Sequence, residues 1–318
     1  MQGRHSRAIV EARSRGFDNA IVLDMLRGEV NPASEELLSR MLRQLAKAHL
    51  ERIRDSGRIH VQRSCLLRGV PDYDGGELRD GECFFWPQVP GEPGRFQAPY
   101  TGTVVIAKNP ALHPGDVRVL RAVDRRSEEA KRRGEGLRNV LVFPVDTRGK
   151  RSHAHETSGG DLDGDEFFIC WDSRLTACNE CEPSNAYTDQ DRLRQAPTAD
   201  SDETLDDEAK RIQYFLEFQE KNVLEVIATH WLIFACQEEE GAWSPKCLEL
   251  ARKHSMAVDA PKLGTFPALE AKDAPASVPK FLKEFSKKGN VDHDSRGILS
   301  KLYESADAEL VNVSDSTQ

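Results

Sequence analysis

The sequence predicts an α+β protein, with a compact β-barrel or sandwich in the middle of the chain and helices on both sides. Three observations carry this. Between Ile59 and Asp172, short apolar runs are cut by Gly and Pro. Before that stretch, and again after about residue 209, apolar residues recur at helical spacing. No disulfide framework offers the chain another source of stability, and at 318 residues it needs none, because roughly three quarters of its unfolded surface can be buried.

Residues 1–58 form the first helical segment. Asn31-Pro32 reads as an N-cap with proline at the first helical position, followed by Leu37, Leu38, Met41, Leu42, Leu45 and Ile53 at helical spacing. Residues 59–172 hold six strand-like runs: RIHVQRSCLLRGVPD, GECFFWPQV, GTVVIAKNP, DVRVLRAV, NVLVFPVD and DEFFICWD. Residues 173–208 turn polar and acidic and read as a solvated linker. Residues 209–318 return to helix. Ile212 to Ala235 carries Phe215, Phe218, Val223, Val226, Ile227, Trp231 and Phe234 as core positions; a second helix covers Pro245 to Met256, and a short one Ile298 to Tyr303.

Composition narrows the class. At 38% hydrophobic and 31% charged residues, with no apolar run near the roughly 18 residues of a membrane span, a membrane protein is not expected. The basic N-terminus lacks the apolar stretch of a secretory signal, so an intracellular protein of nucleus or cytoplasm is expected. Seven scattered cysteines read as reduced thiols. Cys178 and Cys181 make one CxxC without a second pair at zinc-site spacing. A net charge of −9 argues against a protein that coats nucleic acid, but leaves room for a local basic surface beside acidic metal ligands. The basic run from Arg121 to Arg133 includes Glu128 and Glu129 and reads as a solvated face.

The chemistry concentrates at Ser158-Gly159-Gly160-Asp161-Leu162-Asp163-Gly164-Asp165-Glu166. Alternate carboxylates on a straight strand would stand roughly 7 Å apart, too far to share one cation. Gly159, Gly160 and Gly164 let the backbone bend so that Asp161, Asp163 and Asp165 converge. Three close carboxylates repel one another or take up protons unless a cation joins them. A hard ion such as Mg²⁺, or Mn²⁺ in its place, suits few carboxylates plus water and phosphate oxygens. An EF-hand matches at positions 1, 3 and 5 but wants Gly at 6 and Glu at 12, where this chain has Glu166 and Asp172; no helix pattern precedes the loop. From these residues alone, an acidic surface turn is the competing reading.

The string SGGDLDGDEFFICWD resembles the signature of the cellular RNA-dependent RNA polymerases of RNA silencing. VQRSCLLRGVPDYDGGELRDGECFF and GTVVIAKNPALHPGDVRVLRAVD upstream, and HSMAVDAPKLG and ILSKLY downstream, resemble further segments of that family in the family's order. The resemblance implies a double-psi β-barrel catalytic domain with flanking helices and a C-terminal helical region. It implies an RNA-directed RNA polymerase, a nucleotidyltransferase that makes double-stranded RNA from ribonucleoside triphosphates on a single-stranded RNA template for small-RNA silencing. Silencing-complex proteins would be its partners.

Carried over by position, Asp161, Asp163 and Asp165 would hold magnesium, with a second ion arriving on the nucleotide. Lys108, His113 and Asp116 become candidate substrate or RNA contacts, each with a structural alternative, a strand-ending lysine or a turn that satisfies its own backbone; Lys262, in the retained Ala-Val-Asp-Ala-Pro-Lys, is a further candidate whose partner the sequence does not reveal. His153 and Glu156 would brace the aspartate loop. The resemblance covers only the C-terminal portion of the family's chains, so a fragment of a longer enzyme is expected, its second, basic barrel lying upstream. A non-catalytic metal- or RNA-binding module from a truncated or degenerate polymerase is the alternative.

Overall fold

The computed structural model describes residues 20–73, 77–89, 92, 94–125, 127, 132, 136–145, 151–177, 208–209, 212, 215–216, 219, 222–263, 266–285, 290–292 and 297–315. Cys178, Cys181 and most of the acidic stretch lie outside them.

Six strands form where the six apolar runs stand: β1 Ser64–Pro71, β2 Glu82–Phe85, β3 Gly102–Lys108, β4 Arg118–Ala122, β5 Val140–Phe143 and β6 Glu166–Cys170. They close into a barrel in the order β1-β5-β2-β4-β3-β6. β6 completes the ring, antiparallel to both β3 and β1, while β1 with β5 and β2 with β4 are parallel pairs. Closure removes the sheet edges, which decides for a barrel over a sandwich.

Alternation along the strands fills the interior. Leu67, Cys83, Phe85, Val104, Ile106, Leu120, Leu141, Phe143, Phe167 and Ile169 point into one cluster, each worth roughly 1.5–3 kcal/mol for the large apolar side chains. The neighbouring residues Phe84 and Val142 face outward and are covered with Leu78 by a second, smaller cluster. Arg125, inside the basic run, is buried rather than solvated: it pairs with Asp72 at 2.7 Å and lies over the Phe84 ring. Its five donors allow it to bury charge only because Asp72 is buried beside it.

Helices α1 (Ala20–Arg27) and α2 (Glu36–Ser56) precede the barrel. The cap of α2 is Glu35, whose carboxylate accepts from Leu38 N, whereas Asn31 accepts from Ala33 N in a separate turn; Asn31-Pro32 does not start the helix. Leu38 is buried but its neighbour Leu37 is exposed. The single turn α3 (His153–Glu156) and α4 (Ser173–Thr176) flank β6.

Beyond the barrel, α5 (Leu224–Gln237) and α6 (Pro245–Leu263) pack through Ile227, Phe234, Cys247, Leu250 and Ala257. Phe215 and Val226 are exposed rather than core, and Phe218 lies outside the described residues. Two short parallel strands, β7 (Val278–Pro279) and β8 (Val291–Asp292), lead to α7, which runs from Ile298 to Asp315 and is longer than the short helix expected. Helix α7 packs on α2, with Arg54 3.6 Å from Asp307. Among the described residues, no helix is long and apolar enough to cross a membrane.

Candidate metal centre

One end of the barrel carries the acidic loop. β1, β3 and β5 run toward this end, and β6 starts from it. The chain enters through α3, one helical turn capped by Ser152, where the sequence had suggested only turns. It then leaves regular structure through Ser158, Gly159, Leu162 and Gly164, all at positive φ. Gly160 fits for a different reason. Its N–H donates to the Ala154 carbonyl at 3.1 Å, and a Cβ there would stand 2.7 Å from that oxygen.

These bends gather the aspartates. One carboxylate oxygen from each of Asp161, Asp163 and Asp165 lies within 4.8 Å of the others. Ligands on one octahedral ion with bonds of 2.0–2.1 Å sit about 3–4 Å apart, so small rotations of exposed side chains complete the set. An all-carboxylate donor set fits a hard divalent ion. Leu162 packs against the barrel core between the first two aspartates and anchors the loop from below.

Asp165 is held from two sides. Its Oδ2 accepts from the Asp161 N–H at 3.0 Å, and its Oδ1 lies 2.9 Å from Lys108 Nζ. Lys108 is not a solvent-exposed lysine, since its side chain is only 20% accessible. Its carbonyl accepts from Ser158 Oγ at 3.0 Å, so one residue touches both ends of the loop.

His113 and Asp116 build a short 3-10 turn that satisfies its own backbone. His113 Nδ1 accepts from Gly115 N at 2.9 Å, and Asp116 Oδ2 accepts from Leu112 N and His113 N at 3.1 and 2.9 Å. Burial pushes the Asp116 carboxyl up and the His113 imidazole down. Ser158 helps hold the Asp116 carboxyl down against that burial, so this turn neighbours the aspartate loop.

His153 and Glu156 stand behind the loop. His153 Nδ1 lies 2.8 Å from Glu156 Oε2, and His153 Nε2 accepts from Gly81 N at 2.8 Å. Arg118 at the start of β4 reaches the same Glu156 oxygen at 3.3 Å. Burial raises the Glu156 pKa, but the His153 hydrogen bond and the Arg118 charge outweigh it and leave the carboxyl below its ordinary range. Lys262 falls in the last turn of α6; its side chain lies outside the described residues.

Sequence reasoning missed Gly69, Arg118 and Ser158. Gly69, mid-strand in β1, would place a Cβ 2.4 Å from Phe167 Cε2 and 2.6 Å from Leu162 Cδ2. A glycine inside an otherwise apolar strand marks such a close approach, and that signal was present in RSCLLRGVP.

A family model described as RNA dependent RNA polymerase matches residues 6–306. The chain belongs to the RNA-dependent RNA polymerase family. It is 33% identical over 307 residues to RNA-dependent RNA polymerase 2 of Arabidopsis thaliana, covering 92% of this chain and 25% of that protein. It is 33% identical over 259 residues to RNA-dependent RNA polymerase 1 of Schizosaccharomyces pombe, covering 74% of this chain and 20% of that one. Among solved structures, the RNA dependent RNA polymerase QDE-1 from Thielavia terrestris superposes with a TM-score of 0.64 at 20% identity, over 92% of this chain and 33% of that chain. That likeness establishes the fold, an α+β assembly of double-psi barrel type. The chain spans about a quarter of the length of the Arabidopsis relative.

Proposed function

We propose that this chain is the metal-holding, catalytic part of an RNA-directed RNA polymerase. The substrates are ribonucleoside triphosphates and a single-stranded RNA template, and the product is double-stranded RNA for small-RNA silencing, made in the nucleus or cytoplasm beside silencing-complex proteins. One observation carries the reading: in a chain of this family, three carboxylates converge at the mouth of the barrel on a loop the barrel holds in place.

Asp161, Asp163 and Asp165 would hold Mg²⁺, or Mn²⁺ in its place. The three-carboxylate set favours the hard ion that keeps waters and phosphate oxygens in its remaining positions. Bound there, the ion lowers the pKa of an RNA 3′-hydroxyl and steadies charge on the reacting phosphate. The chain's own part is positional. Asp165 fixes one ligand direction through Asp161 N and Lys108, and Leu162 keeps the loop on the barrel. His153 and Glu156 brace the turn before the loop, while Gly159 and Gly164 let the loop bend and Gly160 lets it lie close against Ala154. Lys108 and Lys262 are the candidate cationic contacts to phosphate or template; His113 and Asp116, which satisfy their own turn, are candidate neighbours of the site.

The test is magnesium-dependent incorporation of a labelled ribonucleotide on single-stranded RNA, comparing this chain with a version extended upstream by the length its relatives carry. Incorporation by the extended protein is expected. Inactivity of both, with template bound and the three aspartates intact, would contradict the catalytic reading.

A further inference from the structure

Asp165 has a cation beside it, Lys108. Lys108 ends β3 opposite Phe167, the second residue of β6, so the ladder delivers its side chain to the start of that strand. The Nζ–Oδ1 separation of 2.9 Å is a direct ion pair, and both side chains are largely shielded, at 20% and 16% accessible. The other Asp165 oxygen faces the Asp161 N–H, which leaves the carboxylate oriented toward Asp161 and Asp163. Ser158 Oγ on the Lys108 carbonyl keeps the lysine backbone from drifting away.

An ammonium in that position does two things. It offsets the mutual repulsion of three carboxylates when no metal is bound, and it repels a divalent ion that comes to share Asp165. We propose that Lys108 is a built-in competing cation: it keeps the loop assembled without metal and sets divalent-ion affinity below what three carboxylates alone would give. The proposal rests on the metal reading above. A doubly charged ion about 5 Å from an ammonium, even at the dielectric of water, is repelled enough to weaken binding about tenfold.

The experiment measures Mn²⁺ affinity by electron paramagnetic resonance of the free ion, on the 318-residue chain and its Lys108→Gln, Lys108→Met and Lys108→Arg variants. Lys108→Gln keeps a donor but drops the charge, and Lys108→Met drops both; each is expected to bind Mn²⁺ about tenfold tighter. Lys108→Arg keeps the charge and should stay within about twofold of the wild type. Melting in EDTA supplies the second readout, in which Lys108→Met melts lower than the wild type and recovers on adding Mn²⁺. Equal or weaker Mn²⁺ binding by both neutral variants, with the fold intact by circular dichroism, would overturn the role of Lys108. Equal Mn²⁺ uptake by wild type and Asp163→Ala would instead overturn the metal site, and the inference with it.

Discussion

The backbone N–H of Gly69 donates to the Asp165 carbonyl at 3.0 Å, tying the middle of β1 to the last of the three aspartates. The contact is possible only because Gly69 has no side chain, Phe167 and Leu162 occupying that space.

Gly69→Ala therefore forces an aromatic ring and a core leucine to move. The expected cost is about 1–3 kcal/mol of stability, together with weaker divalent-ion binding, because Leu162 sits between two ligands. Urea unfolding and Mn²⁺ titration read the two effects; an alanine variant unchanged in both would show that the close approach is not tight.

Glu156 links the loop's bracing to pH. Its folded pKa lies below the ordinary value of 4.5, so its stabilisation is present above that value and is lost as pH falls through the lowered one. Glu156→Gln should be less stable than the wild type at neutral pH, and the gap should close in acid. A gap independent of pH between 3 and 7, measured by thermal melts, would remove the charge from the explanation.

In the helical region, Lys253 Nζ and Asp273 Oδ2 meet at 2.6 Å with side chains 6% and 5% accessible. Asp273 also accepts from the Glu270 N–H. Asp273→Ala strands a buried ammonium and should cost about 3–5 kcal/mol in urea unfolding, while adding Lys253→Met should restore part of it. A double variant no more stable than Asp273→Ala would mean that the loss comes from the turn and not from the charge.

His254 is buried, and burial holds its pKa below 6.5; His230 is shifted the same way for the same first reason. The unfolded chain thus binds protons that the folded chain refuses as pH drops below about 6.5, so stability falls with acidification from there until the lowered folded values are passed. His254→Gln should flatten the profile between pH 7 and 5. An unaltered slope in chemical unfolding would assign the effect elsewhere.

The barrel was legible because its strands are written as short apolar runs with turn residues between them, and local pattern suffices for that. The loop was legible because DLDGD concentrates charge and glycine in a few residues. Relationships across the chain were not. Lys108 reads as a strand-ending lysine until β3 and β6 pair, and Arg125 reads as part of a charged face until Asp72 is placed beside it. Helix α7 hid its length because Glu304, Ser305 and Asp307 interrupt the apolar pattern, although Ala306 and Leu310 are buried at i, i+4 spacing. Phe215 misled because an apolar residue need not be buried, and burial depends on what packs against it.

If Asp161, Asp163 and Asp165 hold the ion used for nucleotide addition, removing one carboxylate stops the reaction. The most direct test is ribonucleotide incorporation by the upstream-extended protein carrying Asp163→Ala, beside the wild type, in magnesium. Incorporation is expected to fall to background while the melting temperature without metal is unchanged or higher, since one of three repelling carboxylates is gone. Incorporation at the wild-type rate by that variant would contradict that metal role.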